Sequence, residues 1–105
     1  MRESPKSTIV FASDHGGTNL RKILQKEAEV AGYKVEDCGV HNSDAVDYPV
    51  QVRRATESFI RLKAKYLILV CGSGIGVSIA ANRNPKLRAV LAANTTQARL
   101  SREHN

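Results

Sequence analysis

The order of hydrophobic patterns along the chain predicts an α/β domain built on a parallel sheet. Short apolar runs of strand length alternate with longer stretches whose apolar residues recur every three or four positions. One run, Tyr66-Leu67-Ile68-Leu69-Val70-Cys71, is continuously apolar rather than alternating, as in a strand covered on both faces. Clusters rich in Gly and polar residues follow the strands, at the edge where open parallel sheets bind ligands.

Thr8-Ile9-Val10-Phe11-Ala12 reads as a buried first strand, ended by Ser13-Asp14-His15-Gly16-Gly17. A helix follows, with Leu20, Ile23, Leu24, Ala28 and Ala31 as its core-facing stripe and Gly32 placed to stop it. Tyr33 to Asp37 is a short second strand. From Cys38 to Asp47 the chain is polar and loop-like, and Tyr48-Pro49 closes that loop. Pro49 suits the first turn of a second helix, whose apolar stripe is Val52, Ala55, Thr56, Phe59 and Ile60. The third strand is the run 66–71. Gly72-Ser73-Gly74-Ile75-Gly76 then turns into a short helix through Asn82, which Asn84-Pro85 breaks. Arg88 to Ala93 reads as a fourth strand, and Asn94 with Gln97 has capping-box spacing for a last helix toward Glu103. Right-handed crossovers make this a three-layer α/β/α, Rossmann-like arrangement.

The length of 105 residues suits a single domain with one core. With 42% apolar and 25% charged residues the composition is globular rather than disordered. No apolar run approaches the roughly 18 residues of a membrane span. Glu3 and Pro5 stand where a signal peptide would begin its apolar stretch, so a cytoplasmic location without membrane partners is expected. Cys38 and Cys71 are too few for a disulfide scaffold and lack metal-ligand spacing, so reduced thiols are expected. Residues 1–52 carry six basic and eight acidic groups, whereas residues 53–105 carry ten basic groups and only Glu57 and Glu103 as acids. That bias reads as a solvated basic face or an anion site. Nucleic-acid binding is disfavoured: the basic residues are dispersed, aromatics are few, and no recognition motif is present.

The Gly-rich turn is the strongest local signal, because amides at a helix N-terminus without side chains in the way can hold an anion or a developing oxyanion. It is not a P-loop, since no Lys follows the last Gly. It is not a dinucleotide fingerprint either, since the third Gly arrives early, at Gly76. The glycines could equally serve a tight turn alone. Cys71 stands against that helix N-terminus, a setting that favours a thiolate base or nucleophile, and inert core is the competing reading. Asp14 and His15 fit a turn aspartate with a surface histidine, and His104 fits a charge at a helix C-terminus.

Together, Ser13-Asp14-His15-Gly16-Gly17, Asp47-Tyr48-Pro49, Cys71-Gly72-Ser73-Gly74-Ile75-Gly76 with Ala80-Ala81-Asn82, and Ala98-Arg99-Leu100-Ser101-Arg102-Glu103-His104-Asn105 resemble type B ribose-5-phosphate isomerases and the related galactose-6-phosphate isomerase subunits. The resemblance implies interconversion of ribose 5-phosphate and ribulose 5-phosphate through an enediolate, with no metal or other cofactor. It assigns Cys71 as the base and Ser73 as its support, with the amides of Gly72, Ser73, Gly74, Ile75 and Gly76 on the enediolate oxygen. It places Asp14 and Tyr48 on sugar hydroxyls, His15 on the phosphate, His104 at ring opening and Asn105 near the reacting end. One branch of the family carries a Glu base on the first turn after the Gly-rich loop; Val77 and Ser78 stand there, leaving Cys71 as the candidate. The resemblance also implies a homodimer with shared active sites. It reads 1–105 as one domain, C-terminally shortened by the family's last strand and final helices. The competing functions are a non-catalytic sugar-phosphate-binding module of the same fold and a hexose-6-phosphate isomerase.

Overall fold

The computed structural model describes residues 6–39 and 48–104. Strands β1 (Lys6–Ser13), β2 (Tyr33–Asp37) and β3 (Tyr66–Val70) form one sheet in the order β2-β1-β3, with both pairings parallel. A 3₁₀ turn at His15–Gly17 leads from β1 into α1 (Thr18–Val30), and α2 (Tyr48–Arg61) precedes β3. Beyond β3 lie α3 (Ile75–Asn82) and α4 (Thr95–His104).

The chain steps outward from β1 to β2, then crosses back over β1 to reach β3. Right-handed crossovers running in opposite directions place α1 and α2 on opposite faces, giving the three layers the sequence predicts. The two-residue alternation of β1 follows this division. Val10 and Ala12 pack with Ala55, Phe59, Leu67 and Leu69 on the α2 face. Ile9 and Phe11, which point the other way, are also buried. A central strand enclosed on both sides explains why Thr8 to Ala12 reads as an apolar run. A second cluster, Val52, Val77 and Ala81 with Leu69 and Cys71, joins α2 to α3 and continues the core toward the carboxyl end of the sheet.

Two elements differ from the sequence prediction. Arg88 to Ala93 forms no strand; residues 87–92 belong to no helix or ladder among the described residues. The side-chain amide of Asn82 occupies the backbone groups of Ala89 that a neighbouring strand would use. Ala89 N donates to Asn82 Oδ1 at 2.8 Å, and Asn82 Nδ2 donates to Ala89 O at 2.9 Å. The α1 stripe is borne out only in part: Leu24 and Ala28 are half-buried, whereas Leu20, Ile23 and Ala31 are exposed. Leu20 and Ile23 are 50% and 57% exposed, and the one buried residue of α1 is Arg21. Arg21 is drawn inward by its ion pair with Asp37 at the end of β2, and Gly39 packs directly on the guanidinium. Gly39 N completes the arrangement by donating to Asp37 Oδ1 at 2.8 Å.

The last helix begins as its residues predict. Gln97 N donates to Asn94 Oδ1 at 2.9 Å, while Gln97 Oε1 reaches back to Ala93 N at 2.8 Å. α4 nevertheless packs against little of the body, and Ser101 is its only buried residue. Among the described residues no helix is long and apolar enough to cross a membrane.

Candidate active site

In an open parallel sheet, ligands bind at the carboxyl ends of the two neighbouring strands whose connections leave in opposite directions. In the order β2-β1-β3, those strands are β1 and β3. Their register pairs Ser13 with Val70, so Asp14 and Cys71 are the first residues beyond the ladder on either side of the crevice. The structure therefore brings together two of the residues singled out from sequence, although 57 positions separate them in the chain.

The wall after β1 is built by Asp14. Its backbone N extends the ladder by donating to Val70 O at 3.2 Å. Its carboxylate caps the 3₁₀ turn, with Oδ1 accepting from Gly17 N at 2.9 Å, and Thr18 Oγ1 donates to its carbonyl at 3.2 Å. Gly17 meets the backbone of β3: a Cβ there would lie 2.5 Å from Val70 O. Only glycine permits that approach, which explains the second Gly of the Gly16-Gly17 pair. His15, in the same turn, is exposed.

The wall after β3 is the Gly-rich loop. Cys71 is half-buried, and its Sγ accepts a hydrogen bond from Gly74 N at 3.0 Å. Gly74 lies in the left-handed region at φ 80°, the one position of this loop that demands glycine for its conformation. Ser73 Oγ accepts from Ile75 N at 3.1 Å, closing the first turn before α3. Two loop amides, those of Gly74 and Ile75, thus serve Cys71 and Ser73. Gly72 has open space where a side chain would project.

Tyr48 joins this loop from the start of α2. Its ring lies on Gly76, where an added Cβ would stand 2.9 Å from Cζ. Tyr48 shares a shallow depression, with no enclosed volume, with Ser13, Asp14, Gln51, Val52 and Val77. Ser13 and Gln51 are lining residues that sequence reading missed. Ser13 is 2% exposed and its hydroxyl has no partner among the described residues. Its position immediately before Asp14 at a strand end is the signal that could have marked it. Gln51 lies beside the apolar stripe of α2 and carries no such signal.

The structure does not unite every predicted residue. His104 ends α4 and is exposed, on a helix that no substantial packing joins to the Asp14–Cys71 crevice. Asn105 and most of the loop before Tyr48, residues 40–47, lie outside the described residues. Cys38 takes no place at the crevice: its thiol donates to Ser58 Oγ at 3.5 Å, beside α2.

An α/β chain with a cysteine and an aspartate at the switch point of a parallel sheet, and a Gly-rich turn between the cysteine and a helix, defines a ligand-binding or catalytic class rather than a single protein. Comparison with known proteins narrows it. The family model of ribose/galactose isomerases matches residues 9–105, and the chain belongs to that family. It is 35% identical over 97 residues to ribose-5-phosphate isomerase B of Escherichia coli, covering 92% of this chain and 65% of that protein. It is 40% identical over 87 residues to D-erythrulose-4-phosphate isomerase 2 of Mycolicibacterium smegmatis, covering 80% of this chain and 57% of that one. A solved structure of ribose-5-phosphate isomerase B from Clostridium thermocellum superposes with a TM-score of 0.86 at 41% identity, over 93% of this chain and 66% of the other. The chain thus spans about two thirds or less of the length of these relatives.

Proposed function

We propose that the protein is a cytoplasmic sugar-phosphate aldose–ketose isomerase that interconverts ribose 5-phosphate and ribulose 5-phosphate, with Cys71 as the base. The observation that carries this reading is the placement of the Cys71 sulfur, within a loop of amides and across from Asp14, at the sheet's switch point. The reaction requires one base that removes the C2 proton of the open-chain aldose and returns it to C1, while a proton passes from O2 to O1. Negative charge gathers on oxygen in the enediolate between these steps, and amides fixed in advance stabilise it without reorganising. The amides of Gly72, Ser73 and Gly76 are the donors for that oxygen. Asp14 and Tyr48, the latter lying over Gly76, take sugar hydroxyls, and Ser73 supports the thiol. His15 meets the phosphate, His104 assists ring opening, and Asn105 binds near the reacting carbons.

A homodimer with shared sites fits an α3 surface where Ile75 and Ile79 are each 54% exposed, and an α4 that packs little against its own body. Substrate chain length follows from assay, because the named relatives include isomerases of a pentose phosphate and of a tetrose phosphate. The test is turnover of ribose 5-phosphate by purified protein and by its Cys71→Ala variant. The expected result is loss of ketose formation with unchanged circular dichroism. Substantial residual turnover in the variant would overturn the assignment of the base. Binding of ribose 5-phosphate without turnover by the unmutated protein would instead identify a non-catalytic module.

A further inference from the structure

We infer that Asn82, at the far end of α3 from the crevice, is a positioning residue that holds the Gly74 amide on the Cys71 sulfur; the inference rests on the reading of Cys71 as the base. Asn82 is exposed, yet its side chain is fully committed. Nδ2 donates to Ser78 O at 3.0 Å and to Ala89 O at 2.9 Å, and Oδ1 accepts from Ala89 N at 2.8 Å. An amide is the side chain that can bracket a peptide unit in this way, since it offers two donors and an acceptor in one plane. A carboxylate at the same position would lose both donated bonds.

The bracket fixes Ala89 to the last turn of α3 and so sets where the chain runs two residues later. There Leu91 covers Gly74: an added Cβ on Gly74 would lie 2.4 Å from Leu91 Cδ1. Gly74 is the residue that must hold φ 80° for its N–H to reach Cys71 Sγ at 3.0 Å. Glycine in that loop has no side chain of its own to restrict it, and Leu91 supplies the restriction from outside. The contacts therefore run from Asn82 to Ala89, from Leu91 to Gly74, and from the Gly74 amide to the thiol. The same bracket that replaces a strand ladder at Ala89 tunes the reactive sulfur.

The experiment measures Cys71 alkylation by iodoacetamide across pH 6–9 in a Cys38→Ala background, so that one thiol reports. Asn82→Ala and Leu91→Ala are compared with Ser101→Ala, which removes a part-buried hydroxyl bond to Ala98 O within α4, an element outside the Asn82–Ala89–Leu91–Gly74 contacts. Loosening one hydrogen bond to the sulfur should slow alkylation near neutral pH by about three- to tenfold. Both variants should also move the rate profile toward higher pH, whereas Ser101→Ala leaves rate and profile unchanged. Unchanged alkylation in folded Asn82→Ala and Leu91→Ala would overturn the inference, and if Asn82→Ala does not fold, Leu91→Ala decides it alone. Alkylation is read without turnover, so an inactive protein that shows these shifts refutes the isomerase reading and leaves the positioning role in place.

Discussion

Gly17→Ala tests how tightly the two walls of the crevice meet. The new methyl would stand 2.5 Å from Val70 O, 2.8 Å from Val70 C and 2.8 Å from Val70 Cγ1. Two of these atoms are backbone of β3, so the strand cannot turn them aside. The 3₁₀ turn and the start of α1 would have to withdraw by most of an ångström to reach ordinary contact. That movement pulls on the Asp14 N–Val70 O bond at 3.2 Å, which joins β1 to β3 past the ladder, and on the Gly17 N–Asp14 Oδ1 bond at 2.9 Å, which caps the turn. Overpacking costs about 1–3 kcal/mol and each weakened hydrogen bond about 1 kcal/mol. Alanine regains roughly 0.5–1 kcal/mol by restricting the unfolded chain. The net expectation is a loss of about 2–3 kcal/mol, or a Tm lower by roughly 10–20 °C for a chain of this size. Urea unfolding followed by circular dichroism measures it, with Gly72→Ala as the comparison because a Cβ there meets nothing within 4 Å. Gly72→Ala should stay within about 0.5 kcal/mol of the unmutated protein. A Gly17→Ala variant equally close to the unmutated protein would refute the steric argument.

Three further substitutions read other parts of the fold. Lys63, two residues past the end of α2, has φ 51°, a left-handed conformation that costs a side chain roughly 1–2 kcal/mol, so Lys63→Gly should raise the urea midpoint by the equivalent of about 1 kcal/mol. Asp37→Ala leaves the buried Arg21 guanidinium without its carboxylate, and a loss of about 3 kcal/mol in the same assay is expected; a change under 1 kcal/mol would show that the pair holds nothing together. Asn94→Ala removes the N-cap of α4, a change of about 1 kcal/mol to that helix. Because α4 packs on little else, the effect should be a loss of helical dichroism rather than a lower global midpoint.

Sequence was most informative where local chemistry alone decides the outcome. Tyr33 to Asp37 is a strand and α3 ends at Asn82, as read, because turn residues bound both elements. The Asn94–Gln97 cap forms for the same reason. What could not be read depends on partners distant in sequence. Spacing alone gives the α1 stripe, but Arg21 and Asp37, 16 residues apart, form an ion pair that buries Arg21 and that periodicity does not register. The run Arg88 to Ala93 has strand composition, and the competitor for its backbone is an asparagine seven residues before Ala89. At the crevice, the candidate residues Asp14, Tyr48 and Cys71 are visible in the sequence, but the reason for Gly17 is not: the atom it must clear is a carbonyl of β3.

The reach of the candidate site is set by sheet register rather than by any one loop. Neighbouring strands stand about 4.8 Å apart, so residues that leave paired positions on β1 and β3 begin within one carbon–carbon chain's width of each other. Ser13 opposite Val70 fixes Asp14 and Cys71 as that pair. A slip of one residue would turn every β3 side chain to the opposite face, sending Leu67 and Leu69 away from α2 and the Cys71 side chain away from α3. The apolar contacts of β3 thus hold the thiol in register as firmly as they hold the core. The Gly17 contact with Val70 and the Gly74 amide then adjust what the register has placed, one from each wall. A proton transfer between adjacent carbons needs a base fixed to a fraction of an ångström, and the proposed base, Cys71, stands one residue beyond the end of the β1–β3 ladder.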